Sequence, residues 1–111
     1  MLTGLVPGTL DVLVLKALHG RANHGYGVAR WVRETTGGDL IIEEGALYTA
    51  LHRLEKAGLL AARWKKTETG RRAKYYSLTA AGRRALEQQT ALWRRSAAAL
   101  YKVLGGAPPR S

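Results

Sequence analysis

The 111-residue chain contains no cysteine. Disulfides and thiolate metal sites are therefore excluded, and the compartment is left open but compatible with cytoplasm. No apolar run approaches the roughly 20 residues that a membrane-spanning helix needs. No Lys or Arg precedes Lys16, and Asp11 interrupts the apolar stretch before it, so a secretory signal is not expected. There is no glycine-rich phosphate loop, no nucleophile motif and no pair of carboxylates placed for acid–base work. His19, His24 and His52 are not spaced as metal ligands. Internal repeats are absent as well. The expectation is a single domain that is not an enzyme and carries no cofactor or metal. Acids are scarce too: 8 Asp and Glu stand against 18 Lys and Arg, a formal net charge of +10.

That charge is concentrated. Residues 61–84 hold Arg63, Lys65, Lys66, Arg71, Arg72, Lys74, Arg83 and Arg84 against the single acid Glu68. Such localisation points to a polyanionic partner more than to general solubility. A membrane surface is the rival polyanion. The segment reads as a hairpin, however, and lacks the apolar face of an interfacial helix, so no membrane partner is expected.

A helix stands directly before the basic segment. In EEGALYTALHRLEKAG, Leu47, Leu51 and Leu54 form an apolar stripe, and Ala46, Thr49, His52, Arg53 and Lys56 fall opposite. Glu43 and Glu44 suit the first turn and Gly58 lies just past the end. Two strand-like runs follow, Leu59 to Lys66 and Lys74 to Leu78, joined at Thr69-Gly70. Leu60, Ala62 and Trp64 share one strand face, as do Tyr76 and Leu78 on the return. A helix small and polar on its outer face fits the major groove of DNA, and a basic ribbon beside it reaches backbone or minor groove. The competing reading is an ordinary α+β domain with a solvated hairpin.

Upstream, Pro7-Gly8 stops any earlier structure. Thr9 suits the cap of a first helix with Leu10, Leu13, Val14, Ala17 and Leu18 inward and Gly20 at its end. Val12 and Leu15 are apolar as well, which predicts cover on a second side. A second helix is expected over 25–36, with Val28, Ala29 and Val32 inward, Trp31 off that line and Gly37-Gly38 closing it. The segment Asp39 to Ile42 reads as an isolated strand able to pair with the hairpin edge.

The last helix is predicted from Thr79 to Leu104, about 39 Å at 1.5 Å per residue. Leu86, Thr90, Trp93, Ala97, Leu100 and Leu104 recur along it at spacings of four and three, and Leu92, Ala99 and Val103 widen the stripe. This seam can pack against the first helix or against a second copy; the second is favoured, because two stripes on a terminal helix need two partners. Residues 105–111 are expected to be a disordered tail.

Three segments in order, PGTLDVLVLKAL with HGYGVAR, EEGALYTALHRLEKAGLL, and GRRAKYYSLTAAGRR, resemble the PadR family of bacterial transcriptional regulators. They cover nearly all of residues 7–84. The resemblance implies a mainly α fold with a small β-hairpin: a winged helix-turn-helix over 1–78 and a C-terminal dimerisation helix over 79–104. It also implies a cytoplasmic homodimer repressing from an operator with two half-sites on double-stranded DNA. The short C-terminal part is similar to the family branch with one helix there. Ala46 stands where the family usually has Thr or Ser, and Thr49 where it often has Pro.

By helical position Thr49, His52 and Arg53 are the candidates for base edges, although Arg53 can instead pair with a surface carboxylate. Tyr48 is either a phosphate contact or a partly buried core residue. Arg71, Arg72 and Lys74 flank the turn and are expected on phosphate or in the minor groove, with Lys65 and Lys66 weaker candidates. Tyr26 either touches phosphate or closes the core, the latter preferred, and His24 is expected to cap or order the second helix. Trp93 either packs plainly between subunits or contributes to a site for a small aromatic or apolar effector, as aromatics of the last helix do in some relatives. A non-specific or architectural nucleic-acid binder is the alternative that net charge alone supports.

Overall fold

The computed structural model describes residues 9–106. Four helices and a three-stranded sheet follow in the order α1 (Thr9–Ala17), β1 (Asn23–His24), α2 (Gly25–Thr35), α3 (Glu44–Lys56), β2 (Leu60–Lys66), β3 (Arg72–Leu78) and α4 (Ala80–Leu104). The fold is a winged helix-turn-helix extended by one long helix. Thr9, expected as a cap, is the first helical residue of α1, and the expected stop at Pro7-Gly8 lies outside the described residues.

The core is where the apolar stripes of α1, α2 and α3 meet the start of the sheet. Val14, Leu15 and Leu18, Val28 and Val32, and Leu47, Leu51 and Leu54 are all but fully buried, closed by Leu60, Tyr76 and Leu86. Leu15, read only as a surplus apolar residue, is at its centre. Each such side chain stabilises the fold by about 1.5–3 kcal/mol relative to exposure.

The sheet has the order β1-β3-β2 and is antiparallel throughout. Leu60 faces Leu78, Ala62 faces Tyr76 and Trp64 faces Lys74, so the predicted strand faces are correct. The predicted start of the second hairpin strand at Lys74 is two residues late. Arg72 already pairs with Lys66, because the turn takes only residues 67–71: the Thr67 N–H donates to the Arg71 carbonyl at 2.7 Å, and Gly70 sits at φ 86°. The third strand is a correction. Asn23 and His24, which lie between the first two expected helices, pair with Tyr76 and Tyr75 along the free edge of β3, whereas in the segment 39–42 only Leu40 makes a single bridge.

The wing and α4 are locked together at one junction. The Thr79 N–H donates to the Leu59 carbonyl at 3.1 Å, and its hydroxyl donates to the Gly58 carbonyl at 2.7 Å. The same hydroxyl oxygen accepts from the Gly82 N–H at 3.0 Å, capping α4 as a Thr at this position should. The helix runs 25 residues to Gly105, which ends it in the left-handed conformation. Gly105 therefore belongs to the helix cap and not to an irregular tail; residues 107–111 lie outside the described residues.

Candidate nucleic-acid interface

The face of α3 opposite its buried leucines is open. Tyr48, Thr49, His52, Arg53 and Lys56 are exposed there, while Ala46 is half-buried. Tyr48 is 45% exposed and its ring lies against the first residue of α2: a β-carbon on Gly25 would be 2.8 Å from its Cε1. The hydroxyl end of the ring thus lies against the backbone at the start of α2.

His24 caps α2 as expected, its Nδ1 accepting from the Gly27 N–H at 3.0 Å. Its ring stacks with Tyr26, centroids 6.3 Å apart, and meets Tyr75 edge-on. Tyr26 itself is 66% exposed, so the preferred core placement is wrong for this residue. Being at the second helical position, between two glycines, it projects from the helix start beside the His24 ring.

The wing carries its cations on aromatic supports. Lys65 Nζ lies 4.2 Å from the centroid of Tyr75, and the Arg72 guanidinium lies 5.5 Å from that of Trp64. Trp64 is 57% exposed although it continues the buried strand face, because the hairpin extends past the core at that point. A ring under a cation holds a long side chain extended without neutralising it. Lys65, Lys66, Arg71 and Arg72 are all exposed. Between wing and helices lies an open cleft of about 1340 Å³. Arg71, Arg72, Tyr75 and Trp64 line it from one side, and Tyr26, His24, Arg21 and Tyr48 from the other. Arg21, Asn23 and Tyr75 were not singled out from the sequence. Their only sequence signal was proximity to the HGYG and KYY segments.

Two predicted contact residues are engaged within the chain. The Arg53 guanidinium makes a bidentate pair with Asp11 of α1, its Nη1 donating to Oδ2 at 3.0 Å and Nη2 donating to Oδ1. This hydrogen-bonded pairing raises the Arg53 pKa above its already high usual value. Lys74 is drawn back from the turn, its Nζ 2.8 Å from Glu55 Oε1 on α3, and that hydrogen bond raises its pKa above the ordinary lysine value. Beside it, burial pushes the Tyr76 phenol up.

The seam of α4 divides in two. Leu86 is 7% exposed and belongs to the core. Thr90 and Trp93 face α1 instead, across a groove of about 910 Å³ whose apolar wall includes Val12, Leu13, Leu40 and Ala91. Its rim is Lys16, Arg83 and Arg94 with Glu87. Beyond it Leu100, Val103 and Leu104 stand exposed, and Ala97 is half-buried. Of the two surplus apolar residues of α1, Val12 lines this groove but Leu15 is buried in the core, and Leu13, expected inward, lines the groove instead. Among the described residues no cluster of His, Cys, Asp and Glu could hold a metal ion, and no helix is long and apolar enough to cross a membrane.

The chain matches the model of the transcriptional regulator PadR-like family over residues 14–88, well over half its length. It is similar to a PadR family transcription regulator from Clostridium difficile, with 32% identity and TM-score 0.76 over 88% of this chain and 100% of that one. Smu.1704 from Streptococcus mutans superposes with TM-score 0.82 and 26% identity over the full length of both chains. The fold is shared with Bacillus subtilis PadR in complex with operator DNA, at TM-score 0.64 and 20% identity, over 94% of this chain and 51% of that one. This chain therefore belongs to the PadR-like family of transcriptional regulators, which are not enzymes.

Proposed function

We propose that the chain is a sequence-specific DNA-binding repressor that works as a cytoplasmic homodimer on an operator with two half-sites. The observation that carries the reading is the shared cleft: Tyr48 of α3 and the wing cations Arg71 and Arg72 line the same opening. A duplex whose major groove takes α3 would bring its backbone past that cleft. Thr49 and His52 then read base edges. Tyr48, Lys65, Lys66, Arg71 and Arg72 hold phosphate, and Lys74 acts from behind, tying the wing to α3 through Glu55. Support also comes from family membership and from the fold shared with Bacillus subtilis PadR bound to operator DNA.

The exposed seam from Trp93 to Leu104 would join two copies and set the two α3 helices about 34 Å apart, one turn of duplex. The groove beside Trp93 would take a small aromatic or apolar effector. Such an effector releases DNA only if it prefers the subunit spacing that does not match the operator. Selection of bound fragments from random duplex DNA tests the reading. Enrichment of a two-fold symmetric site with half-sites one turn apart supports it. Recovery of unrelated fragments at matched salt would favour a non-specific or architectural binder instead, the alternative that the net charge of +10 supports.

A further inference from the structure

Arg53 shares the exposed face of α3 with Thr49 and His52, and an arginine there is the residue type best suited to phosphate or guanine. It is nevertheless occupied. Both of its terminal nitrogens are bound by the two carboxylate oxygens of Asp11, 42 residues earlier in the chain. The geometry is that of a guanidinium on the two oxygens of a singly charged carboxylate, and two oxygens of a phosphate can offer the same bidentate pairing. The Asp11 side chain is 22% exposed and Arg53 56%, so the acid is fixed within the surface while the cation remains open to solvent on its outer side. Asp11 also lies in the first turn of α1, where the helix dipole favours its charge. Since α1 presents Val12 and Leu13 to the α1–α4 groove, the acid and that groove stand on one helix.

Resting on the DNA-binding reading above, we propose that Asp11 is a specificity-determining residue: it occupies Arg53 as an internal substitute for phosphate and withholds one cation from the DNA-facing surface. Sequence-independent affinity scales with the number of phosphates neutralised, whereas base reading by Thr49 and His52 does not need this charge. Withholding it lowers binding to unrelated duplex and leaves recognition to the remaining contacts.

The test is the dependence of affinity on salt, measured on a selected operator and on an unrelated duplex of equal length. Freeing Arg53 with Asp11→Asn should steepen the slope of log K against log salt by about 0.9 and tighten the unrelated duplex roughly five- to tenfold near 0.1 M salt. Adding Arg53→Ala to that variant should restore the wild-type slope. Arg53→Ala alone should move the slope by far less than one phosphate contact, and this measurement decides the matter if Asp11→Asn does not fold. An unchanged slope in folded Asp11→Asn overturns the inference. So does a slope shallower by about 0.9 in Arg53→Ala alone, because Arg53 would then leave Asp11 for DNA in the native protein. Wild-type protein that binds neither duplex would overturn the DNA-binding reading itself, a result distinct from both.

Discussion

The ring of Tyr48 occupies the space that a side chain on Gly25 would need. A β-carbon there would stand 2.8 Å from Cε1, 2.9 Å from Cζ and 3.0 Å from the hydroxyl oxygen. The atoms it meets are the far end of a half-exposed side chain, which can swing away. Gly25→Ala should therefore change unfolding free energy by less than about 1 kcal/mol, since alanine also favours the helix it would join. Its effect belongs to the interface, because the displaced tyrosine no longer presents its hydroxyl at the same place. DNA affinity should fall by about the value of one hydrogen bond to a charged group, roughly 1.5–3 kcal/mol. Tyr48→Phe should reproduce most of that loss. If Gly25→Ala bound DNA as wild type does while Tyr48→Phe did not, the placement of the ring on Gly25 would have no functional consequence.

Gly82 presents the opposite case. A β-carbon there would lie 2.1 Å from the Leu59 carbonyl oxygen, which is backbone and is already fixed by the Thr79 N–H. Nothing flexible can yield. Gly82→Ala should destabilise the fold by about 1–3 kcal/mol or more through overpacking, despite the helix propensity it gains. Urea unfolding of the two glycine variants side by side checks the contrast; equal midpoints would contradict it.

Stability should fall on the alkaline side. Burial raises the Tyr76 pKa, and the Glu55 hydrogen bond raises that of Lys74. In both cases the folded value lies above the unfolded one. Each contribution is therefore present in full below the unfolded value, near 10 for both groups, and is lost as pH rises through the folded value. Thermal midpoints measured from pH 8 to 11.5 should decline above about 10. Tyr76→Phe and Lys74→Met should each flatten part of that decline. A decline of the same steepness in both variants would place its origin elsewhere in the molecule.

What the sequence made legible was local. Thr79 marked the start of α4, His24 the start of α2, and the leucine spacing of α3 gave its buried face, because caps and periodicity act over a few residues. The relations that shape the candidate site act over longer distances. Asn23 and His24 form a strand only because β3 offers an unpaired edge, and two residues are too few to show alternation; the run at 40–42, with β-branched Ile41 and Ile42, had the better propensity and the wrong position. Arg53 finds Asp11 across 42 residues, and Lys74 finds Glu55 across 19. Helical position put Arg53 on the exposed face of α3 and nearness to the turn singled out Lys74, but neither could say which acids the packing would bring to them. Tyr26 failed for a related reason: at a helix start, one face of the wheel does not tell whether anything stands above it.

The seam of α4 supplies a prediction that separates its two halves. Leu86 is buried against the chain's own core, so Leu86→Ala should cost about 2–4 kcal/mol at any protein concentration. Leu100 is 60% exposed and Val103 85% exposed, and in a single chain their loss removes little buried area. Leu100→Glu should therefore leave the helical signal of the dilute protein intact. If the seam joins two copies, the same change places a charge in the contact and should abolish association. Sedimentation velocity reads the mass directly, and melting at two concentrations a hundredfold apart gives an independent measure, since a dimer's midpoint rises with concentration and a monomer's does not. Wild type should show that rise and Leu100→Glu should lose it, with Trp93→Ala between the two because its ring also lines the groove against α1. A Leu100→Glu protein of unchanged mass would mean that copies associate through another surface. The half-site spacing proposed here would then lose its geometric basis.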